Sequence, residues 1–303
     1  MRHPLVMLAF MGTLLTPAAE NHAAPLNVTP PQTTASENDE PQAPLRDNMG
    51  LSIVPHRAIY NLSLASAKNG SNVKGVSGKM MFDWNDTCDG WTVQQHMQLH
   101  FNLGENGEST VVSSEITWES KEGDKYNFNI RRITDGKETE KFRGKATLGP
   151  DGGTVAYSVP EGKTDKLPAG SLFPSAHTRM LLQKAASGEK FFMRQVFDGS
   201  DEEGTNGVSA YISPPIAEHQ KTELPTSLKN NRLLQATEWP IRLAYFKETG
   251  ETGESGESDF EMNLNLLSNG VAKSIRIDYN DFSVQGTLAA LEPLPKHDCA
   301  TAP

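Results

Sequence analysis

The sequence predicts a mainly β protein, a large open sheet or barrel of short antiparallel strands with one prominent α-helix at about 175–187. Three observations predict it. Period-two alternation of apolar and polar residues recurs along most of the chain, as half-buried strands require. Asn-Gly and Asp-Gly turn signals separate the alternating runs. One stretch, FPSAHTRMLLQKAASG, breaks the alternation and carries a helix start and stop instead. Many short strands with a single helix fit an open sheet or barrel.

The elements follow in order. Arg2 and His3 form a short positive region, and Leu5 to Leu15 is an apolar run of eleven, too short to span a bilayer. Small residues follow at Pro17-Ala18-Ala19 and Ala23-Ala24, so residues 1–24 read as a cleavable signal peptide and the chain as exported. No cysteine lies near the cleavage region, which argues against a lipid-anchored lipoprotein, and no later segment is apolar enough to cross a membrane. Residues 25–50 are rich in Pro, Thr, Gln, Asn and acidic residues. They hold too few large apolar side chains to offset the entropy of ordering, so they read as a flexible tether. Residues 51–303 remain as a single β domain.

Within it, His56, Ala58, Tyr60, Leu62 and Leu64 share one face of a strand, and Val76, Met80, Phe82 and Trp84 share a face of the next. WTVQQHMQLHF, residues 91–101, places Trp91, Val93, Met97, Leu99 and Phe101 on one face, with Gln95 as the exception. His96 and His100 fall on the other face. Four apart on a helix, they would make half a zinc site. On a strand they are separated by roughly 13 Å, too far for one ion whose nitrogen ligands sit at about 2.0–2.1 Å. Met97 also stands where a metalloprotease would need its glutamate, so no metal site is expected. Further runs align Val112, Ile116 and Trp118, then Tyr126, Phe128 and Ile130, then Val155, Tyr157 and Val159. Turn signals lie between them at Asn69-Gly70, Asn106-Gly107, Asp135-Gly136 and Asp151-Gly152-Gly153.

For the helix, Ser175 after Pro174 is the expected N-cap, Gly188 is the expected C′ residue, and Met180, Leu181 and Ala185 face the sheet. Strands resume in FFMRQVFDGSD, GVSAYIS, WPIRLAYFKE and the run from Ser258 onward. Asn269-Gly270 is the clearest hairpin signal and suits a type I′ turn. KETGETGESGESDFE, at about 247–261, reads as an acidic, solvated hairpin tip and lacks a calcium-loop pattern.

Net charge −10 with no basic patch excludes nucleic acid as an expected partner. No G-x-S-x-G elbow, P-loop, H-E-x-x-H or dinucleotide fingerprint occurs, so no catalytic residue and no cofactor are expected. His177 beside Ser171 would be the functional reading of LPAGSLFPSAHTRM, and the plain one is a Pro-bounded loop feeding a capped helix. The cysteines, Cys88 and Cys299, read as one disulfide in an exported chain, with a free thiol or a nucleophile as the alternatives. If the sheet closes on itself, that bridge would clamp a seam between the first and last strands.

Several segments, in this order, resemble the EipB-type periplasmic cell-envelope integrity family of Gram-negative bacteria. They are PHRAIYNLSL at 55–64, GKMMFDW followed by Cys88-Asp89-Gly90-Trp91, LPAGSLFPSAHT at 167–178, VFDGSD at 196–201, WPIRLAYF at 239–246, NGVAKSIRIDYNDFSVQGTL at 269–288, and the terminal Cys299. The resemblance spans about residues 51–299. It implies a periplasmic protein with no enzymatic activity, a large open spiral β-barrel with one helix, a disulfide between Cys88 and Cys299, and a role in envelope integrity under stress. The expected mode of action is contact of the open barrel with a periplasmic protein partner. The alternatives are a carrier of a lipid or other apolar ligand, whose binding residues the sequence does not reveal, and an unrecognised hydrolase.

Overall fold

The computed structural model describes residues 51–202, 204–217, 225–247, 258–295 and Cys299. The segments read as a signal peptide (1–24) and a tether (25–50), and residues 248–257 of the acidic loop, lie outside the described residues. Eight strands come first. They are β1 (His56–Ala67), β2 (Gly75–Asp86), β3 (Gly90–Asn102), β4 (Glu108–Ser120), β5 (Lys125–Thr134), β6 (Lys137–Gly149), β7 (Gly152–Val159) and β8 (Thr164–Leu167). The helix α1 (Pro174–Ser187) follows. Six more strands complete the fold: β9 (Phe191–Val196), β10 (Asn206–Ile212), β11 (Glu238–Lys247), β12 (Phe260–Leu267), β13 (Ala272–Asp278) and β14 (Phe282–Pro293).

All fourteen strands form one antiparallel sheet in the order β8-β7-β6-β5-β4-β3-β2-β1-β14-β13-β12-β11-β10-β9. The sheet is not closed, and its edges are β8 and β9. The expected seam between first and last strands is therefore corrected. β1 and β14 sit mid-sheet and are paired from His56↔Pro293 to Ala67↔Phe282. The open edges belong instead to the strands flanking α1, because a connection that spends its length on a helix cannot form a hairpin. Leu172 bridges this gap at one point, where its amide donates to Gln195 O at 2.8 Å and its carbonyl accepts from Phe197 N at 2.9 Å.

Alternation sends one set of side chains inward along each strand. The sheet curls so that Trp84 and Trp91, from β2 and β3, share a core with α1 and with Ile241, Leu243 and Met262 of β11 and β12. A second core gathers Tyr60, Leu99, Val284 and Leu288, capped by Leu228 and Leu234 from the segment before β11. A third packs Tyr126, Phe128, Tyr157, Phe173 and Phe197. Phe128 lies so close to Gly144 and Gly199 that a Cβ on either would come within 2.6 Å of its ring. Gly199 also has φ 73°, so this turn requires glycine twice over.

The helix matches its expected span and ends at Gly188 in the left-handed conformation (φ 79°). Its start differs. Phe173 is the N-cap, Pro174 is the first helical residue, and Ser175 lies inside the helix. The cap is supplied from β4. The carboxylate of Glu119 accepts from the Ser175 and Ala176 amides, both at 2.7 Å. The hairpin at Asn269-Gly270 also differs. Gly270 has positive φ and Asn269 does not; the Gly270 amide donates to Leu267 O at 2.8 Å, and the register slips between Asn265 and Leu266. That is a turn followed by a bulge. The type I′ signature occurs at Asp135-Gly136, where both residues have positive φ and a two-residue loop joins β5 to β6.

Candidate functional site

A cavity of about 290 Å³ lies inside the curl, between the first turns of α1 and the inner face of the sheet. Most of its wall is apolar. β1–β3 contribute Tyr60, Leu62, Met80, Phe82, Trp84, Val93, Met97 and Leu99, and β11–β14 contribute Leu243, Met262, Leu264, Ile275, Ile277 and Val284. Tyr245 stacks on Phe260 with ring centres 4.3 Å apart, and Tyr279 lies beyond Phe260, so aromatic rings line one side. Tyr60 keeps its hydroxyl satisfied by donating to Ala272 O at 2.6 Å.

One sector of the wall is polar, and β4 explains it. On this strand Val111 is the one apolar residue on the inner face: Val112 and Ile116 are exposed, while Ser109, Ser113 and Glu119 are buried with Val111, and Glu115 and Thr117 line the cavity. The aligned set Val112, Ile116 and Trp118 is thus an outer face. β4 points polar groups inward because it must cap α1 through Glu119 and face Arg132 of β5, its neighbour across Ser113. Gln95, the exception on β3, is the cross-strand partner of Glu115 and also lines the cavity.

The carboxyls in this sector are perturbed. Burial pushes Glu115 up to about 7, with Asp198 adding to the rise and Arg132 and Ser113 opposing it. Asp198, in the turn after β9, is raised by burial against the hydrogen bonds of Ser200. Burial also pushes Glu119 up to about 7, opposed by the two helix amides and by Arg179. Arg132 is 1 % exposed and pairs with Glu140 of the neighbouring β6; its Nε and Nη2 have no hydrogen-bond partner among the described residues. His177 lines the cavity at 5 % exposure, and its Nε2 also lacks a partner. Burial, with Arg194 adding, lowers it to about 4, so the ring is neutral at physiological pH.

His177 and Ser171 do not meet as base and nucleophile. Ser171 donates to Pro168 O at 2.7 Å, and no hydrogen bond joins the pair among the described residues. His96 and His100 are exposed on the outer face of β3, as alternation places them, where His96 Nδ1 lies 2.6 Å from Ser114 Oγ and His100 Nδ1 3.0 Å from Thr110 Oγ1. Among the described residues no group of three or more His, Cys, Asp or Glu side chains could hold a metal ion. The structure joins Cys88, in the β2–β3 turn, to Cys299, with Cα atoms 5.5 Å apart. Sequence reading did not single out Glu115, Glu119, Arg132 or Asp198. Gln95 was the one visible signal, a polar residue breaking an otherwise apolar face.

Comparison with known proteins agrees with this architecture. Residues 48–295 match the model of the EipB-like family. The cell envelope integrity protein EipB of Brucella abortus (strain 2308) is 28 % identical over 242 residues, covering 79 % of this chain and 84 % of that protein. The crystal structure of a beta-barrel-like protein of domain of unknown function DUF1849, also from Brucella abortus, superposes with a TM-score of 0.72 at 25 % identity, covering 80 % of this chain and 99 % of that one. With the family model spanning the whole sheet, the helix and the cavity between them, this chain belongs to the EipB-like family.

Proposed function

We propose that this protein acts in the periplasm to support cell-envelope integrity without catalysing a reaction, by holding an apolar chain inside its curled sheet. The observation that carries the reading is the cavity of about 290 Å³, walled by aliphatic and aromatic side chains from both halves of the sheet. Concave, mostly apolar sites with a few convergent polar groups are the usual form of a small-molecule site. The name of the Brucella abortus relative supplies the envelope role, and the signal pattern at 1–24 supplies the compartment. The Ser171 hydroxyl, spent on Pro168 O rather than on His177, supports a non-catalytic reading. Among the described residues no helix is long and apolar enough to cross a membrane.

A second reading, contact with a periplasmic protein, has its own support. Phe191, Met193 and Tyr211 are exposed on the outer face of the β9–β10 hairpin, and β9 is an edge strand able to accept another chain's strand.

The cavity reading is tested with N-phenyl-1-naphthylamine, a neutral apolar probe that fluoresces when removed from water. Saturable binding of about one probe per chain is expected. Val93→Trp, which fills the wall from β3, should weaken it about tenfold or more without changing the far-ultraviolet circular dichroism. A flat titration of the natural protein, or an unaffected Val93→Trp variant, would sink the cavity reading and leave the edge-strand reading as the better one.

A further inference from the structure

The polar sector of the cavity limits which amphiphile can enter. Its charged side chains are Glu115 and Asp198, and no Lys or Arg lines the wall. Arg132, whose charge acts on Glu115 and Asp198, stands outside the wall and is matched by Glu140, and Arg194, which acts on His177, also stands outside it. Glu115 receives one long hydrogen bond, from Ser113 Oγ at 3.3 Å. Gln95 stands directly opposite it across the β3–β4 ladder and offers a further acceptor.

An independent observation lies on the helix. The His177 side chain forms part of the same wall, is 5 % exposed, and leaves Nε2 without a partner among the described residues. A buried ring nitrogen without a partner costs free energy until something bonds to it. The ring is neutral, since burial holds its pKa near 4, so it adds no positive charge to the wall that would oppose a cationic head.

We propose that the cavity takes a single-chain amphiphile whose head is a hydrogen-bond donor, a primary ammonium above all, with the head held by Glu115, Asp198 and Gln95 beside the neutral His177 ring and the tail along the apolar wall toward Met97 and Leu264. The inference rests on the apolar-chain reading given above and adds the chemistry of the head. A carboxylate or phosphate head would be brought against two carboxyl groups set in a mostly apolar wall, where like charges repel more strongly than in bulk solvent. An ammonium would neutralise that sector. Asp198 and burial together keep Glu115 reluctant to ionise, a penalty that a bound cation removes.

The test compares three twelve-carbon probes below their micelle concentrations at pH 8, by displacement of N-phenyl-1-naphthylamine: dodecylammonium, dodecanol and dodecanoate. Dodecylammonium should bind about tenfold or more tighter than dodecanoate, with dodecanol between them. Glu115→Gln should narrow the gap, and Glu115→Gln with Asp198→Asn should close it. Should the double variant fail to fold, the ordering of the three probes on the natural protein still decides. Dodecanoate binding as tightly as dodecylammonium, or more tightly, overturns the head-group assignment and leaves the apolar-chain reading standing. Failure of all three probes, dodecanol included, overturns both.

Discussion

Serine at Cys88 or at Cys299 is expected to lower the melting temperature by about 5–15 °C, from a loss of a few kcal/mol at about 2–4 °C per kcal/mol for a domain of this size. The double variant should melt no lower than the worse single one, because both changes remove the same bond. The bond closes a loop of 211 residues, for which the chain-entropy model gives an upper figure of about 5 kcal/mol. Its location says the effect should come mainly through the unfolded chain. β1 and β14 remain fully paired without it, so the folded sheet should keep its circular dichroism spectrum. Backbone geometry supplies an internal control. Cys88 has φ 67°, a left-handed conformation that non-glycine residues adopt at a cost of about 1–2 kcal/mol. Cys88→Gly should therefore melt a few degrees above Cys88→Ser although both lack the bond. Two titratable thiols in the denatured natural protein, or single variants that melt like it, would contradict this account.

Glu119→Ala should be comparably damaging, at about 2–4 kcal/mol. The residue is 1 % exposed and ties the first turn of the helix to β4 through two charge-assisted hydrogen bonds of 2.7 Å. Alanine leaves both amides buried without an acceptor and, above about pH 7 where Glu119 is ionised, removes a negative charge from a helix N-terminus. Glu119→Gln keeps one carbonyl oxygen and should fall between alanine and the natural residue. Glu189→Ala gives the comparison for a solvent-exposed pair. Its bond to Lys184 at 2.9 Å lies on the surface and is worth about 0–1 kcal/mol. A structural effect alone would appear in the melting temperature. Because Pro174, Ser175, His177 and Thr178 form one side of the cavity, Glu119→Ala should also weaken N-phenyl-1-naphthylamine binding at temperatures well below the melt. Equal melting of Glu119→Ala and Glu189→Ala would rule out the clamp.

These two features differ in how far the sequence reveals them. Strand existence is visible because period-two patterns survive wherever one face is buried, as from Trp91 to Phe101. The helix is visible because Pro174 and Gly188 act locally at its ends. The cap is not visible, since its acceptor lies 56 residues before the amides it serves. Which face points inward is equally hidden on β4. Alternation sorts side chains into two sets, and the assumption that the apolar set is buried fails where a strand must present Glu115 and Glu119 to the interior. Turn chemistry shows the same limit. Asp135-Gly136 and Asn269-Gly270 carry equivalent signals, yet only the first adopts two positive φ values. Asn269 is otherwise engaged, donating from its side chain to Leu233 O at 2.8 Å and accepting from Val271 N at 3.2 Å. Tertiary partners override local preference there. The first and last strands do meet, as expected for a sheet that closes on itself, but that they pair fully in mid-sheet with the edges at β8 and β9 was out of reach, since no local pattern records the order of distant strands.

The central claim is that the interior of this sheet is a binding site for an apolar chain. Native mass spectrometry of the protein, expressed from its whole sequence in a Gram-negative host and isolated without detergent, tests it most directly. The account predicts a population heavier than the processed chain by the mass of one amphiphile, recovered on organic extraction and lost in Val93→Trp. A single species at the mass of the bare processed chain, with the same result for Val93→Trp, would contradict it.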